Sequence, residues 1–338
     1  MKKIKLKGGQ RSVKKIKKRK FIFLFLLLLL SFLLLLNEAL NSPKEINTYD
    51  ISIITRGKID ESLVILKEGA EQAAKEVNAN IKFISLSENN NIQEQKELIE
   101  KESKSGADAI LISPTDYNEI SNSIEEASEK IPIILLESSI KTKHKINNVT
   151  FDNYESGKSL GKEILKSDYR NKKIAIVTNN LKCVAVEDRY NGLINILENE
   201  NVNIIMEKFN DSEVDTYYNK AQDLLTKNKV DIVITFDIEI LESIAQVKKD
   251  LINNGIISSN IKIYGWGSTN KIVSFLEEDI INGIVLQNEF NIGYLGIKNA
   301  INFINNNKNE NNIIPSIIIT KENMYSKENQ RLLFLFVR

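Results

Sequence analysis

The chain has 338 residues, with 46 Lys and Arg against 45 Asp and Glu, one His and one Cys. A lone Cys excludes an intrachain disulfide framework, and Cys183 with His144 leaves too few soft ligands for a dedicated zinc site, so no metal is expected. The net charge of +1 hides an asymmetry: residues 1–20 hold eleven Lys or Arg and no acid, which leaves the remainder near −10 and argues against nucleic-acid binding.

After the basic stretch, the sixteen residues Phe21 to Leu36 carry no charge. As a helix they would run roughly 24 Å, short of the ~30 Å hydrocarbon core, but they span it with Ala39, Leu40 and local thinning. This reading makes 1–20 a basic cytoplasmic tail and 21–40 a membrane anchor, with the positive flank inside and the bulk of the chain extracytoplasmic. The tail can also pair with anionic lipid headgroups. The alternative is a cleaved signal peptide, whose n-region and h-region are present but long. The following NEALNSP offers no convincing Ala-x-Ala site, and no Cys follows the apolar run for lipid attachment.

From Tyr49 onward, short apolar runs alternate with amphipathic stretches. Strands are predicted at 51–55, 81–86, 107–113, 131–137, 146–151, 173–178, 203–208, 231–236, 262–264 and 284–287. Helices are predicted at 61–77, 91–105, 117–130, 155–167, 185–198, 212–227, 239–253, 271–278 and 292–305. Asn305–Asn312 reads as a polar loop, and the closing Arg331–Arg338 as a strand or a cover for an apolar patch. Apolar strands separated by helices mean parallel strands joined by right-handed crossovers, with helices on both faces. Ten or eleven strands exceed one comfortable sheet. The expected fold is therefore α/β, with two doubly wound parallel-sheet lobes and a ligand site beyond the carboxyl ends of the strands.

The local sequences add a resemblance. LKEGAEQAAKE (Leu66–Glu76), the stretch Ser87–Asp116 ending in SPTD, VTFDNYESGKSLGKEI (Val149–Ile164), DRYNGL (Asp188–Leu193), FDIE (Phe236–Glu239), YGWGST (Tyr264–Thr269) and LQNEFNIGYLG (Leu286–Gly296) occur in an order that resembles the type I periplasmic sugar-binding proteins, ribose-binding members especially. The resemblance runs from about Tyr49 to Ile319. It implies three crossings between lobes, near Phe151–Asp152, Gln287–Asn288 and Pro315–Ile317. Lobe 1 is then 49–151 plus 288–315, and lobe 2 is 152–287 plus 316–338, closing on ligand by a three-segment hinge.

The resemblance also marks site residues. Arg189 stands where the family places a sugar-clamping Arg, and a guanidinium suits vicinal hydroxyls; the alternative is a surface pair with Asp188. In an open cleft Arg189 would have few structural duties. Asp237 stands at a polar ligand position, with helix capping as the alternative. Gln287 stands where the family uses a Gln, with a hinge hydrogen bond as the alternative. Glu137 replaces the family's Asp, Ser138 its Arg and Gly267 a ligating Asp, which puts ribose itself in question. From placement alone, Trp266 at a strand end is a candidate stacking platform or a core residue. Lys58 and Asp60 in the first loop are candidates for the cleft or for solvent. Asp116 and Asp152 are expected to cap helices.

No Gly-x-Ser-x-Gly, P-loop or metal-spaced cluster appears, and GWGST lacks the third Gly of a dinucleotide fingerprint, so no catalytic site and no cofactor are expected. The lactose-repressor family shares the fold but needs an N-terminal helix-turn-helix, a place filled here by the basic tail and apolar run. Two readings remain. One is capture of a small sugar for an ABC permease. The other is a ligand sensor, for a sugar or an autoinducer-like polyol, read by a membrane histidine kinase.

Overall fold

The computed structural model describes residues 21–35, 37, 48–166, 169–179, 182–209, 214–258, 260–306 and 311–334. The basic tail 1–20, residues 36 and 38–40 of the proposed anchor, 307–310 of the polar loop and 335–338 of the closing segment lie outside the described residues. The chain divides into two compact units, 1–47 and 48–338.

In the first unit, residues 21–35 form a helix, α1. Its Leu, Ile and Phe side chains are exposed, from 45% at Leu29 to 72% at Phe21. Ser31 Oγ donates to Leu28 O, which satisfies the one polar side chain within it. Among the described residues, no helix is long and apolar enough to cross a membrane.

The second unit holds two six-stranded sheets with the same connectivity. The first comprises β1 (Tyr49–Ile54), β2 (Ala79–Ile84), β3 (Ala109–Ile112), β4 (Ile133–Glu137), β5 (Asn147–Phe151) and β11 (Asn311–Ile314), in the order β11-β5-β4-β3-β1-β2. The second comprises β6 (Lys173–Thr178), β7 (Asn203–Lys208), β8 (Ile232–Thr235), β9 (Lys262–Trp266), β10 (Gly283–Leu286) and β12 (Ile317–Ile319), in the order β12-β10-β9-β8-β6-β7. The α/β fold with two parallel-sheet lobes is thus present.

Alternation along the strands feeds a core on each face. Ile51, Ile53, Ala109, Leu111, Ile134 and Leu136 pack under α2 (Glu61–Val77) and α10 (Glu289–Asn306). Their neighbours Ile54, Ile110, Ile112, Ile133 and Leu135 pack under α3 (Ile92–Ser103) and α4 (Ser121–Ser128). In the second lobe, Ile174, Ile176, Ile232, Ile234 and Trp266 face α5 (Asn153–Leu165) and α6 (Val184–Leu197). Ala175, Val177, Val233, Ile263 and Ile284 face α7 (Val214–Thr226), α8 (Ile238–Asn253) and α9 (Asn270–Glu277). Each fully buried Ile or Leu contributes about 1.5–3 kcal/mol.

The chain passes from one sheet to the other three times: between β5 and α5, between β10 and α10, and between β11 and β12. The last passage is direct, with no helix, so β12 runs antiparallel to β10 and is the exception to the parallel expectation. Strand β11 also occupies part of the expected polar loop, because Asn311 and Asn312 pair with Asn148 and Val149 of β5. At the end, α11 (Lys327–Leu333) replaces the expected strand; Leu333 enters the second-lobe core, so the patch-covering alternative holds for the described part. Helix α4 begins later than expected because Asp116 Oδ1 accepts from the N–H groups of Asn118 and Glu119, holding that stretch as a turn. Asp152 caps α5 as expected, accepting from Glu155 N.

One helix pair decides where the site residues sit. A Cβ on Gly192 of α6 would lie 2.0 Å from Tyr154 O, and one on Gly157 of α5 would lie 2.1 Å from Arg189 O. Only glycine permits this approach, which brings the middle of α6 against the start of α5 at the β5 crossing.

Lys248 on α8 is fully buried and donates to Ile280 O at 2.7 Å. Burial pushes its ammonium down to about 8, against a weaker upward pull from Asp279. The folded value lies below the unfolded one, so between about pH 8 and 10.5 the unfolded chain holds a proton that the folded chain has released. Stability from this group therefore rises with pH across that window, by roughly 3 kcal/mol, and its penalty is full below pH 8. Denaturant titrations should show this rise in the wild type and its loss in Lys248→Met. Parallel pH profiles for the two proteins would contradict the assignment.

Candidate functional site

A cleft lies between the two lobes at the carboxyl ends of the strands, where doubly wound sheets present loops to ligands. Its cavity volume is about 140 Å³, opening into a wider mouth. Its wall includes all seven residues singled out from the sequence: Lys58, Asp60, Glu137, Arg189, Asp237, Trp266 and Gln287. Most follow directly from a strand end. Lys58 and Asp60 lie in the loop after β1, Glu137 ends β4, Asp237 lies just beyond β8, Trp266 ends β9 and Gln287 follows β10.

Arg189 is the best-fixed of them. It is 6% exposed on α6, its Nε donates to Asn153 Oδ1 at 2.9 Å and its Nη2 donates to Gln287 Oε1 at 2.9 Å. Gln287 Nε2 donates to the same Asn153 oxygen at 3.3 Å. Asn153 and Gln287 belong to two of the three passages between lobes. The expectation that Arg189 has few structural duties is therefore corrected: it ties these passages together, and its partners are these amides rather than Asp188. The hinge-bond alternative for Gln287 is likewise realised, on a residue that also lines the cleft. Burial lowers the Arg189 pKa to about 10, and the Arg56 charge adds to the shift.

Trp266 belongs to the core beneath the cleft. It is 2% exposed, packs on Phe236 with ring centroids 5.0 Å apart, and has the Arg189 guanidinium 5.5 Å from its ring centroid. The core-packing alternative thus holds, though the residue still forms part of the wall. Gly267 follows at φ +120°, and a Cβ there would lie 2.8 Å from Ile238 Cγ1. An aspartate at this position would have neither the backbone nor the space.

Glu137 adopts φ +62°, a left-handed conformation disfavoured for its side chain, of the sort that concentrates at functional sites. Asp237 sits at the N-cap of α8 without a side-chain capping bond; its Oδ2 accepts from Asn179 N at 3.2 Å instead. Asp60 does cap, accepting from Leu63 N at 2.8 Å, and the Lys58 side chain is exposed at the mouth.

Sequence reasoning missed several wall residues. Arg56 lies two residues past β1 and could have been found by its place near a strand end. Burial alone would lower its pKa, but Cys183 and the carboxylates of Glu137, Asp237 and Asp60 outweigh that and raise it. Glu289 opens α10, two residues past Gln287, and burial with the nearby Glu137 charge pushes its carboxyl well up. Three buried polar atoms of the wall have no hydrogen-bond partner: Glu137 Oε2, Glu289 Oε2 and Trp266 Nε1. Such groups are costly unless something binds them.

The lobes touch on both flanks of the cleft. On one side Ala185 N donates to Ser138 Oγ at 3.2 Å, and Arg56 Nη1 reaches Cys183 Sγ at 3.5 Å. On the other, Asn89 Nδ2 donates to Glu239 Oε1 at 3.2 Å and Asn270 N to Glu61 Oε2 at 2.8 Å. Among the described residues no cluster of His, Cys, Asp and Glu could hold a metal ion.

Removing the Arg189 side chain should cost stability before any ligand is added. Hydrogen bonds to a charged group contribute about 1.5–3 kcal/mol each, so Arg189→Ala should lose at least ~2 kcal/mol, several degrees in melting temperature. An unchanged melting temperature in the unliganded variant would show that Arg189 does not tie the crossings.

Known proteins share this fold. The family described as periplasmic binding protein domain matches residues 53–308. The ribose import binding protein RbsB of Haemophilus influenzae is 23% identical over 262 residues, covering 77% of this chain and 87% of that protein. A carbohydrate transporter solute binding protein from Agrobacterium radiobacter, solved with D-arabinose, superimposes with TM-score 0.77 at 23% identity, over 85% of this chain and 99% of that one. A chain of the XylFII–LytSN complex does so with TM-score 0.74 at 20% identity, over 82% and 99%. The chain therefore belongs to the periplasmic binding protein domain family, as a type I protein related to the ribose-binding proteins.

Proposed function

We propose that this protein is a membrane-anchored extracytoplasmic solute-binding protein that captures a small sugar between its lobes by hinge closure and serves an ABC-type uptake system. The observation that carries the reading is the cleft wall. Arg189, Gln287, Asp237 and Glu137 surround a space in which Glu137 Oε2, Glu289 Oε2 and Trp266 Nε1 are buried without partners. A polyhydroxylated ligand supplies donors and acceptors to all three, and its burial by closure favours the compact arrangement of the lobes. The ribose import and carbohydrate-transport relatives support a sugar as ligand class. Glu137, Ser138 and Gly267 depart from the ribose-binding pattern, which favours a sugar other than ribose.

Anchoring rests on α1. Its exposed Leu, Ile and Phe side chains need an apolar surrounding, and the eleven positive residues before it favour an inside-facing tail. A second reading is sensing, in which lobe closure is relayed to a membrane histidine kinase. The likeness to a chain solved within the XylFII–LytSN complex favours it, as does the lack of a Cys for lipid attachment after the apolar run.

A melting-temperature screen of residues 48–338 against a panel of monosaccharides tests the binding reading. At 100 times its dissociation constant the ligand should add about 2.7 kcal/mol of apparent stability and be recovered unchanged. The binding activity of cells should stay with membranes after alkaline carbonate washing. A flat panel would remove the sugar reading, and activity released into the medium would remove the anchor.

A further inference from the structure

The charge inventory of the cleft is uneven. Five carboxylates line it, Asp60, Glu137, Asp237, Glu239 and Glu289, against three cations, Arg56, Lys58 and Arg189. The two arginines do not spend their hydrogen bonds on these acids: Arg189 donates to the neutral amides of Asn153 and Gln287, and Arg56 reaches the Cys183 sulfur. Among the described residues no ion pair joins Asp60, Glu137, Glu239 or Glu289 to a cation, although twelve lysine–carboxylate pairs occur elsewhere.

Asp60 and Glu239 satisfy an oxygen locally, by capping α2 and by accepting from Asn89. Glu137 and Glu289 differ, since each keeps a buried oxygen without a donor. Independently, Trp266 is 2% exposed with its Nε1 unpartnered in the same wall. The wall thus lacks donors for two carboxylates and an acceptor for one indole N–H. A neutral sugar can meet the hydrogen-bond demand. It adds no positive charge to the two acids, whose burial and mutual repulsion Arg56 and Arg189 offset only in part. A ligand ammonium brings three donors and a positive charge, which meets both demands.

We propose that the ligand of this cleft is an amine-bearing monosaccharide, an amino sugar whose protonated amine is held by Glu137 and Glu289 while a hydroxyl or ring oxygen accepts from Trp266 Nε1. The proposal rests on the sugar-binding reading above and refines its substrate class. Around Glu289 the charged groups are Glu137, Asp60, Arg189 and Arg56. Burial first, and Glu137 second, hold the Glu289 carboxyl protonated to higher pH than usual, while the two arginines pull the other way. An arriving ammonium adds a positive charge that opposes both effects, so Glu289 gives up its proton to solvent as the ligand binds.

The experiment is titration calorimetry on the full-length protein in detergent, at a pH where sugar amines are charged. The probes are glucosamine, galactosamine and mannosamine, each beside its parent hexose and its N-acetyl derivative. At least one amino sugar should bind tenfold or more tighter than both of its neutral counterparts. Repeating that titration in two buffers of different ionisation enthalpy should reveal proton release. Glu289→Gln and Glu137→Gln should each erase the preference for the amine, with the melting temperature of the unliganded variants confirming that they fold. Equal or tighter binding of a parent or N-acetyl sugar overturns this inference and leaves the sugar-binding reading standing. So does an amine preference that survives both substitutions. If no member of the set binds and the wider neutral panel is flat as well, both readings fall.

Discussion

The buried Arg189 guanidinium is the interaction on which the cleft depends. It bonds to Asn153 at the first passage between lobes and to Gln287 at the second, and those two amides bond to each other. A charge taken out of water must be met by fixed dipoles, and here the dipoles belong to two of the segments that cross between the lobes. The Trp266 ring lies 5.5 Å from the guanidinium, while the like charge of Arg56 opposes its ionisation. This residue of the cleft wall therefore also ties two of the crossing segments to each other.

The scaffold delivers this residue through packing rather than through loops. Gly157 and Gly192 let α5 and α6 approach closely enough that the backbone of Arg189 lies against α5. The opposite lobe repeats the device: a Cβ on Gly293 of α10 would lie 1.9 Å from Leu66 O of α2. That second pair fixes α10, whose first residue is Glu289. Two close helix crossings, one per lobe, thus set the positions of the guanidinium and of one of the two unpartnered carboxylates, while rigid strand ends set Glu137, Asp237 and Trp266.

Much of this was legible in the sequence because it follows from periodicity. Helix α2 is found at its predicted bounds, and β6 and β7 likewise, since apolar spacing decides both type and extent there. Strand-end placement and the family resemblance together brought all seven candidate residues to one cleft. What escaped was set by partners distant in the chain. Asn153 owes its role to Gln287, 134 residues away, and nothing in its local sequence marks it. Strand β11 hides in an Asn-rich segment because its pairing with β5, not its composition, makes it a strand. The run Leu332–Leu333–Phe334 is continuous in apolar residues, which periodicity alone cannot assign to helix or strand. Trp266 was visible as a strand-end aromatic, yet its burial depends on Phe236, which only the fold brings beneath it.

The central claim is that ligand capture and lobe closure are one event, coupled through Arg189. Small-angle X-ray scattering of residues 48–338, with and without a saturating ligand from the sugar screen, tests it most directly. The account predicts that the radius of gyration falls on saturation of the wild type. It also predicts that Arg189→Ala, saturated with the same ligand at higher concentration, shows a smaller fall or none. Full compaction of the saturated variant, or saturation of the wild type without compaction, would contradict the account.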